Sequence, residues 1–490
     1  MTVDTIHDKH DPLHPQLPYR IADSVNRAMG DVQLQQFVNA ATTARDRGRV
    51  ETCRDAFAER YDAVRRHAGD IKQHTLDHLD IYVEQFIDSA TTAGAQVHCA
   101  ASAEEARHIG IEIAKANECK LCVKSKSMVT EEIDLVSALE DSGIKTLETD
   151  LGEFIIQLDN DAPSHIVMPM IHKDRRSVAR AFERELKTKY TEDPQQLTQI
   201  AREYMRHKFA QADLGISGAN FLIADTGDVV LCTNEGNGGL TVSTPRLHIV
   251  YVGIEKIIPR LDHLPVFLKL LARSATSQPI TVYTTILTGP KRELEIDGPK
   301  HMHIILLDNG RTDILRTDAR EMLRCIRCGA CLNACPVYRK VGGGHAYGAV
   351  YSGPIGAVIT PLMKGLHNYP DLPHVSSLCG ACFEACPVHI DIPRQLINLR
   401  RDMVTNRTMP LSGRLAYKLW AIVLKRPLLY RLASRIMALI LRRMAQSNDS
   451  GWINKGPGPL GAWTAERDFP APPSNSFRDW WNRHTGGQER

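Results

Sequence analysis

Short apolar runs alternate with helical patterns between residues 76 and 310, and this alternation organises most of the chain. The run Val97–Ala100 predicts a strand, and Ser102 with Glu105 predicts the capped start of the helix that follows it. Leu121–Val123 predicts the next strand. Repeated strand–helix alternation is typical of an α/β domain with a largely parallel sheet.

Two apolar runs in the second half of this region predict a hairpin. Phe221–Ala224 and Val229–Thr233 are separated by the residues Asp-Thr-Gly-Asp, which favour a tight turn. Strands joined by so short a turn run antiparallel. We therefore expect the sheet of this domain to be mixed.

Beyond residue 401 the chain becomes apolar and basic. Two helices are predicted there, interrupted at Pro427, and their apolar side chains alternate with lysines and arginines. Helices of this kind pack on another domain or subunit, or lie on an anionic membrane surface. We expect packing on a subunit or domain, with peripheral membrane contact as the other possibility. Since no run of about eighteen apolar residues occurs, no membrane-spanning helix is predicted.

The patterning thus predicts four regions: a polar leader with N-terminal helices (1–75), an α/β domain (76–310), a cysteine-rich helical domain (311–400), and a helical region with a proline-rich tail (401–490). The leader carries His7, His10 and His14. A disordered segment and a metal site are both open interpretations of these histidines.

Composition excludes some classes of protein. The net charge of +3 over 490 residues is close to balance, and no base-reading motif accompanies it, so no nucleic-acid partner is predicted. No signal-peptide pattern is visible, and twelve cysteines are too sparse for a secreted disulfide framework. We expect reduced cysteines in the cytoplasm.

Seven of these cysteines stand in two short runs. Cys325, Cys328 and Cys331 have C-x2-C-x2-C spacing, and Cys335 follows with a proline after it, which is the bacterial ferredoxin pattern for a [4Fe–4S] cluster. Residues 379–387 repeat a shorter form of this run. Structural zinc, the competing interpretation, usually takes two C-x2-C pairs. Two runs indicate two clusters.

The last cysteine of each run binds the other cluster in two-cluster ferredoxins. On this pattern the ligands of the first cluster are Cys325, Cys328, Cys331 and Cys386, and those of the second are Cys335, Cys379 and Cys382. The second cluster is then one thiolate short. Ser376 stands where a complete run would hold a cysteine.

Three explanations for the missing ligand remain open at this point. The fourth ligand is a side chain of Ser376, Ser377 or His374, or it comes from a partner protein, or the second centre is a [3Fe–4S] cluster.

Two other segments could hold an anion. Lys124 to Ser127 lie between a predicted strand and a helix N-terminus, and the loop from Asn234 to Gly239 is rich in glycine. Neither matches a nucleotide-binding fingerprint, and a solvated turn explains each as well. Cys119 and Cys122 form a lone C-x2-C pair, which we interpret as packing residues.

Three stretches, taken together with the cysteine runs, resemble one family closely. They are KSKSMVTEEI (124–133), residues 215–237 continued by 248–259, and RDFPAPPSNSFRDWW (467–481). The combination resembles lactate utilisation protein B, an iron–sulfur protein family of bacterial L-lactate oxidation. The resemblance extends over about residues 20–485.

This resemblance implies an α/β domain distantly like the sugar-isomerase and CoA-transferase fold, an α-helical two-cluster ferredoxin domain and a helical C-terminal region. It also implies two companion lactate-utilisation proteins, one cysteine-rich and one an α/β relative, which act with the chain to oxidise L-lactate to pyruvate. The chain would then be the electron-transfer subunit. Two other hypotheses stay open: the α/β domain itself binds and oxidises a carboxylate, or the clusters are structural or redox-sensing.

Overall fold

The computed structural model describes residues 13, 15–406, 411–446, 451–465 and 467–485. The histidines of the leader, His7, His10 and His14, lie outside these ranges. The chain forms two compact units, Met1–Thr405 and Asn406–Arg490. All seven cysteines of the two runs belong to the first unit.

The strands are, in chain order, β1 (Gln96–Ala100), β2 (Leu121–Lys124), β3 (Lys145–Glu148), β4 (Leu214–Ser217), β5 (Phe221–Ile223), β6 (Val229–Thr233), β7 (Leu247–Gly253), β8 (Ile257–Ile258), β9 (Tyr283–Leu287), β10 (His301–Leu307), β11 (Trp452–Ile453) and β12 (Phe469–Pro470). The α-helices are α1 (Ile21–Gly30), α2 (Val32–Phe57), α3 (Tyr61–Asp77), α4 (Leu79–Thr92), α5 (Ala103–Ala116), α6 (Met128–Glu132), α7 (Leu135–Asp141), α8 (Leu151–Leu158), α9 (Arg175–Leu186), α10 (Pro194–Gln211), α11 (Asn237–Ser243), α12 (Leu264–Thr276), α13 (Arg311–Leu315), α14 (Ala330–Ala334), α15 (Pro336–Lys340), α16 (Gly353–Lys364), α17 (Ala381–Ala385), α18 (Ile392–Thr405), α19 (Leu411–Lys425), α20 (Pro427–Gln446), α21 (Pro459–Thr464) and α22 (Phe477–His484).

A six-stranded parallel sheet forms the centre of the first unit, with strand order β1-β10-β7-β4-β2-β3. Strands β4 and β7 are buried along their whole length, as expected for strands covered on both faces. Helix α5 begins as predicted, since Ser102 accepts a hydrogen bond from the Glu105 N–H. The predicted α/β class with a parallel sheet is therefore confirmed.

The predicted hairpin exists, but it does not belong to this sheet. β5 and β6 pair antiparallel and form a second, four-stranded sheet of order β8-β5-β6-β9. The expectation of one mixed sheet was wrong because β5 leaves the parallel sheet directly after β4, at the Gly218–Asn220 bend. The short turn was enough to predict that β5 and β6 pair antiparallel. Which sheet they join depends on tertiary packing, which the turn does not reveal.

The cysteine-rich part shares a hydrophobic core with helices from the N-terminal region. Val38 of α2 and Ala68 of α3 are completely buried in the same core as Leu332, which lies within the first cysteine run, and Tyr338, which follows it. Burial of apolar surface is the main favourable term in folding. The N-terminal helices therefore stabilise the cysteine-rich part as well as the α/β part.

The second unit is built mainly from α19 and α20, which Pro427 separates as predicted. Their surfaces are unusually apolar for exposed helices: Trp420 is 60% exposed and Leu428 is 79% exposed. Phe477, Trp480 and Trp481 of α22 cluster, with ring centroids 5.7–6.4 Å apart. In the described ranges, no helix has both the length and the apolar character needed to cross a membrane.

Candidate iron–sulfur site

The two cysteine runs fold into the same local structure. Each contains the sequence Cys-Gly-Ala-Cys, and the glycine has a left-handed backbone, with φ of 74° at Gly329 and 86° at Gly380. A one-turn helix follows each glycine, α14 in the first run and α17 in the second, and these two helices pack together. Glycine suits the turn because it alone adopts positive φ without a steric penalty.

One set of thiols, which we call the inner set, consists of Cys325, Cys328, Cys331 and Cys386. Cys328 and Cys386 are buried, and Cys325 and Cys331 are partly buried. Burial raises the pKa of Cys328, and the neighbouring thiols of Cys325 and Cys386 raise it further. The last cysteine of the second run therefore lies beside cysteines of the first.

The other three thiols, which we call the outer set, are Cys335, Cys379 and Cys382. Burial raises the pKa of Cys382 to about 12, and Cys335 and Cys379 contribute to that rise. Cys379 differs from the rest because its side chain is exposed and its pKa is lowered by the Ala381 backbone N–H and by Ser377. The outer set thus reaches solvent at Cys379.

The surroundings of both sets fit thiolate ligands. Backbone N–H groups of nearby residues donate to the sulfurs of Cys325, Cys335 and Cys386 at 3.4–3.5 Å. Hydrogen bonds to sulfur are one of the factors that set the potential of an iron–sulfur cluster. The four thiols of the inner set are the donor set expected for a [4Fe–4S] cluster, and the outer set has three of the four.

A single metal ion requires closer ligands than these thiols provide. Within the described residues, three potential ligand atoms come within 4.8 Å of one another at Asp161, His172 and His345, a group that includes none of the seven cysteines. Lys173 already pairs with Asp161 at 2.7 Å, which makes this group a poor cation site. Thiolates of one tetrahedral zinc would lie about 4 Å apart, so the thiol spacing disfavours zinc.

A buried ionic network connects the inner set to the α/β part of the unit. Arg311, which is 1% exposed, pairs with Glu255 at 2.5 Å and with both carboxylate oxygens of Glu132 at 2.9 Å. Arg327, located between Cys325 and Cys328, stacks on the Tyr351 ring at 4.3 Å. Although burial opposes ionisation, these arginines lower the pKa of Glu255 to about 2.

No pattern in the sequence predicts this network. Its partners are far apart in sequence, with a separation of 179 residues from Glu132 to Arg311, so no spacing pattern connects them. Lone charged residues in separate segments look like ordinary surface positions. Only their nearly complete burial shows that they are paired inside the protein.

The second cysteine run is also held by a residue of the N-terminal helices. Arg65 of α3 donates to the carbonyl oxygens of Glu384 and Phe383 at 2.5 and 3.2 Å, and its guanidinium lies 5.2 Å from the Phe383 ring centroid. The end carbonyls of a short helix have no partner within the helix. Arg65 supplies one for α17.

The lysines considered as anion ligands are already neutralised. Lys124 is completely buried and pairs with Glu148 at 2.7 Å, and Lys126 lies 3.6 Å from Glu153. The loop does lie at the carboxyl end of β2, beside β4, where the chain order of the strands reverses and where open α/β sheets usually bind ligands. The interpretation of Lys124 as a free anion ligand was nevertheless wrong.

A small cavity opens at this point, lined by Lys126, Glu131, Glu153, His165 and Ser352 among others. Its free volume of about 10 Å³ is enough for about one water molecule. Burial and the nearby Glu153 raise the pKa of Glu131 well above its ordinary value. The cavity is therefore large enough for a water molecule, and the Glu131 carboxyl at its wall favours a bound proton. An anion is disfavoured there.

The second candidate loop, Asn234 to Gly239, borders a cavity of about 310 Å³ lined by Glu235, Leu240 and Tyr283 among others. Burial raises the pKa of Glu235. The lining holds an acid and no cation, which disfavours an anionic ligand. Cys119 and Cys122 are both buried in a core beneath the sheet, so their interpretation as packing residues is confirmed.

Fold and site together define a class of protein in which a parallel α/β domain precedes an iron–sulfur domain. Family models match in that order: the LUD domain at residues 83–307, a 4Fe-4S dicluster domain at 321–390, and the C-terminal region of lactate utilisation protein B at 405–485.

Individual relatives agree with this class. The chain is 46% identical to lactate utilization protein B of Bacillus velezensis over 85% of this chain and 87% of the relative. It is 42% identical to lactate utilization protein B of Bacillus cereus over 96% of each. The chain belongs to the lactate utilisation protein B family. Among solved structures, a DUF162 family protein from Deinococcus radiodurans is similar with a TM-score of 0.27 and 14% identity, over 47% of this chain and 98% of that chain.

Proposed function

We propose that this chain is an iron–sulfur electron-transfer subunit in lactate utilisation, acting in a complex that oxidises L-lactate to pyruvate. The relatives are named for lactate utilisation, and the dicluster family model covers both cysteine runs. One observation carries the proposal: the two runs, each built around a Cys-Gly-Ala-Cys turn, hold seven thiols that form two sets, one buried or partly buried and one that reaches solvent at Cys379.

We assign one [4Fe–4S] cluster to the inner set and one cluster to the outer set. Bound clusters would supply one-electron carriers whose potentials depend on charge, hydrogen bonds and solvent exposure. The chain's own residues prepare such a path. Arg327 and the buried network fix the inner set, while the exposed Cys379 brings the outer set to the surface where a partner can approach.

The competing hypothesis, a carboxylate-oxidising site in the α/β domain, has less support. The lysine that it requires is paired with Glu148, and the cavity at the strand ends has room for about one water. A structural or redox-sensing role for the clusters makes a different prediction, since such clusters need not accept electrons reversibly.

Anaerobic purification followed by iron and sulfide analysis tests the assignment. We expect about seven to eight irons per chain and two paramagnetic signals on stepwise reduction. About four irons with a single [4Fe–4S] signal would contradict it. Adding L-lactate to the isolated chain should leave the cluster absorbance unchanged. Adding L-lactate together with the companion proteins should bleach it. Bleaching by lactate alone would favour the α/β domain as the catalytic site.

We further propose that the second unit binds the two companion proteins, one cysteine-rich and one an α/β relative. Helices α19 and α20 carry seven basic and no acidic residues and expose large apolar side chains such as Trp420 and Leu428. Contiguous apolar surface bordered by charge commonly marks a protein interaction site. Weak contact with anionic membranes is the other outcome that these helices allow.

A chain ending at Asn406 tests this role. It keeps all seven cysteines and the whole first unit, so its iron content should equal that of the full chain. Co-purification with the companions should be lost. A full-length chain with the exposed Arg394 replaced by Ala is a suitable control, since that residue belongs to the first unit. Unchanged binding of the companions by the truncated chain would exclude the second unit as the docking region.

A further inference from the structure

The outer set has three thiols, and the structure shows which side chain takes the position of a fourth. Cys379 and Cys382 correspond to Cys328 and Cys331 of the first run. The position equivalent to Cys325 is Ser376, three residues before Cys379. The question is whether its hydroxyl also lies where the thiol of Cys325 lies.

The backbone repeats through this position. Arg327 and Leu378, each two residues later, both have a left-handed conformation, with φ of 59° and 54°. Left-handed φ is rare outside glycine and is not expected twice by chance. The same hydrogen bond also recurs, because the Arg327 N–H donates to Cys325 Sγ at 3.4 Å and the Leu378 N–H donates to Ser376 Oγ at 3.1 Å. The Ser376 oxygen is therefore held in the way that the Cys325 sulfur is held.

The other two side chains considered for this role lie in different surroundings. Ser377 is equivalent to Ile326 of the first run, whose apolar side chain has no ligand atom. The Ser377 hydroxyl donates to Cys379. His374 is exposed, and the charged groups that act on its ring are Arg400 and Asp371. Neither matches the position of a ligand as Ser376 does.

We propose that Ser376 Oγ is the fourth protein ligand of the outer cluster. Binding forms an Fe–O bond and breaks the O–H bond of the hydroxyl, whose proton passes to solvent, and no electron is transferred. An alkoxide is a harder ligand than a thiolate and favours the more oxidised iron. The outer cluster therefore takes electrons less readily than it would with four thiolates. This proposal rests on the outer cluster of the proposed function.

Three full-length variants test it under anaerobic conditions. Ser376→Cys restores a complete run, Ser376→Ala removes the oxygen, and Ser377→Ala is the matched control one residue away. We expect Ser376→Cys to raise the midpoint potential of the outer cluster and to remove the oxygen scatterer from the X-ray absorption spectrum of the iron. Ser376→Ala should lose about one iron and give a [3Fe–4S] signal. Ser377→Ala should keep its irons.

The outcomes separate this proposal from the proposed function. A wild-type chain with a single cubane would contradict the two-cluster function itself. Two clusters in the wild type, with Ser376→Ala unchanged in iron content and spectrum, would overturn only the serine ligand. Should Ser376→Ala fail to assemble clusters, Ser376→Cys still decides, because an iron environment identical to that of the wild type excludes oxygen ligation. Loss of iron in His374→Ala alone would transfer the role to that histidine.

Discussion

The two Cys-Gly-Ala-Cys turns have the same sequence and backbone but very different surroundings. We call the turn of Cys328–Cys331 the inner turn and that of Cys379–Cys382 the outer turn. A Cβ added at Gly329 of the inner turn would lie 3.3 Å from both His165 and Val167. At Gly380 of the outer turn it would meet no described atom within 4 Å. Local sequence therefore determines how the thiols are presented, whereas the packing around each turn determines whether a cluster is enclosed or accessible.

This difference suits the two ends of an electron path. The inner turn is covered by the segment around His165, and Arg327 of the same run is joined through Glu255 to the buried network of Arg311. The outer turn leaves Cys379 exposed. Electron transfer to a partner requires a short distance to the surface, which the outer turn provides.

The strongest test of the comparison separates the two sets by removing one thiol. Cys335→Ala should abolish the outer cluster and leave the inner one, although Cys335 belongs to the first run in sequence. About four irons and the inner paramagnetic signal should remain. Cys99→Ala, at an exposed cysteine outside both sets, is the control and should keep all irons. Loss of the inner signal instead would show that the last cysteines do not cross.

A second test breaks the enclosure of the inner set. Arg311→Met leaves two carboxylates, Glu132 and Glu255, buried without their main partner, and removing one member of a buried ion pair costs about 3–5 kcal/mol. We expect a marked fall in the unfolding temperature and loss of the inner cluster before the outer one during heating.

Arg316→Met is a matched control for this variant. Arg316 follows the same helix α13, but its side chain is 78% exposed and its pair with Asp313 lies in solvent. Exposed ion pairs contribute about 0–1 kcal/mol. Equal effects of the two substitutions would mean that the network does not stabilise the inner region.

The sequence predicted much of this arrangement where the signal is local. Spacing predicted the two thiol runs, the cap at Ser102 and the interruption at Pro427, because each depends on residues a few positions apart. The covering of the inner turn was not predictable in this way. His165, Glu132 and Glu255 come from separate segments, and only the fold brings them to the first cysteine run and the network beside it. The membership of β5 and β6 in a second sheet was missed for the same reason.

The smallest expected effect concerns His165, which covers the inner turn and has no counterpart over the outer one. Its Nδ1 accepts hydrogen bonds from the Val167 and Met168 N–H groups at 3.0 and 3.2 Å, and its Nε2 lies 3.1 Å from Asn333 Oδ1. The ring is therefore held neutral, with its proton on Nε2. Burial, followed by the charge of Lys126, lowers its pKa to about 3.

A lowered histidine pKa makes stability depend on pH in a definite direction. Below about pH 6.5 the unfolded chain binds a proton on this ring while the folded chain does not, so stability falls as the pH drops toward about 3. At about pH 5.5 the loss is on the order of 1 kcal/mol relative to neutral pH. His165→Gln, which cannot titrate, should remove this loss, so its urea unfolding should depend less on pH than that of the wild type. His207→Gln, at an exposed position of α10, should behave as the wild type does. An unchanged pH dependence in His165→Gln would mean that the inner turn is open to water, and the contrast between the two turns would then be smaller than their packing indicates.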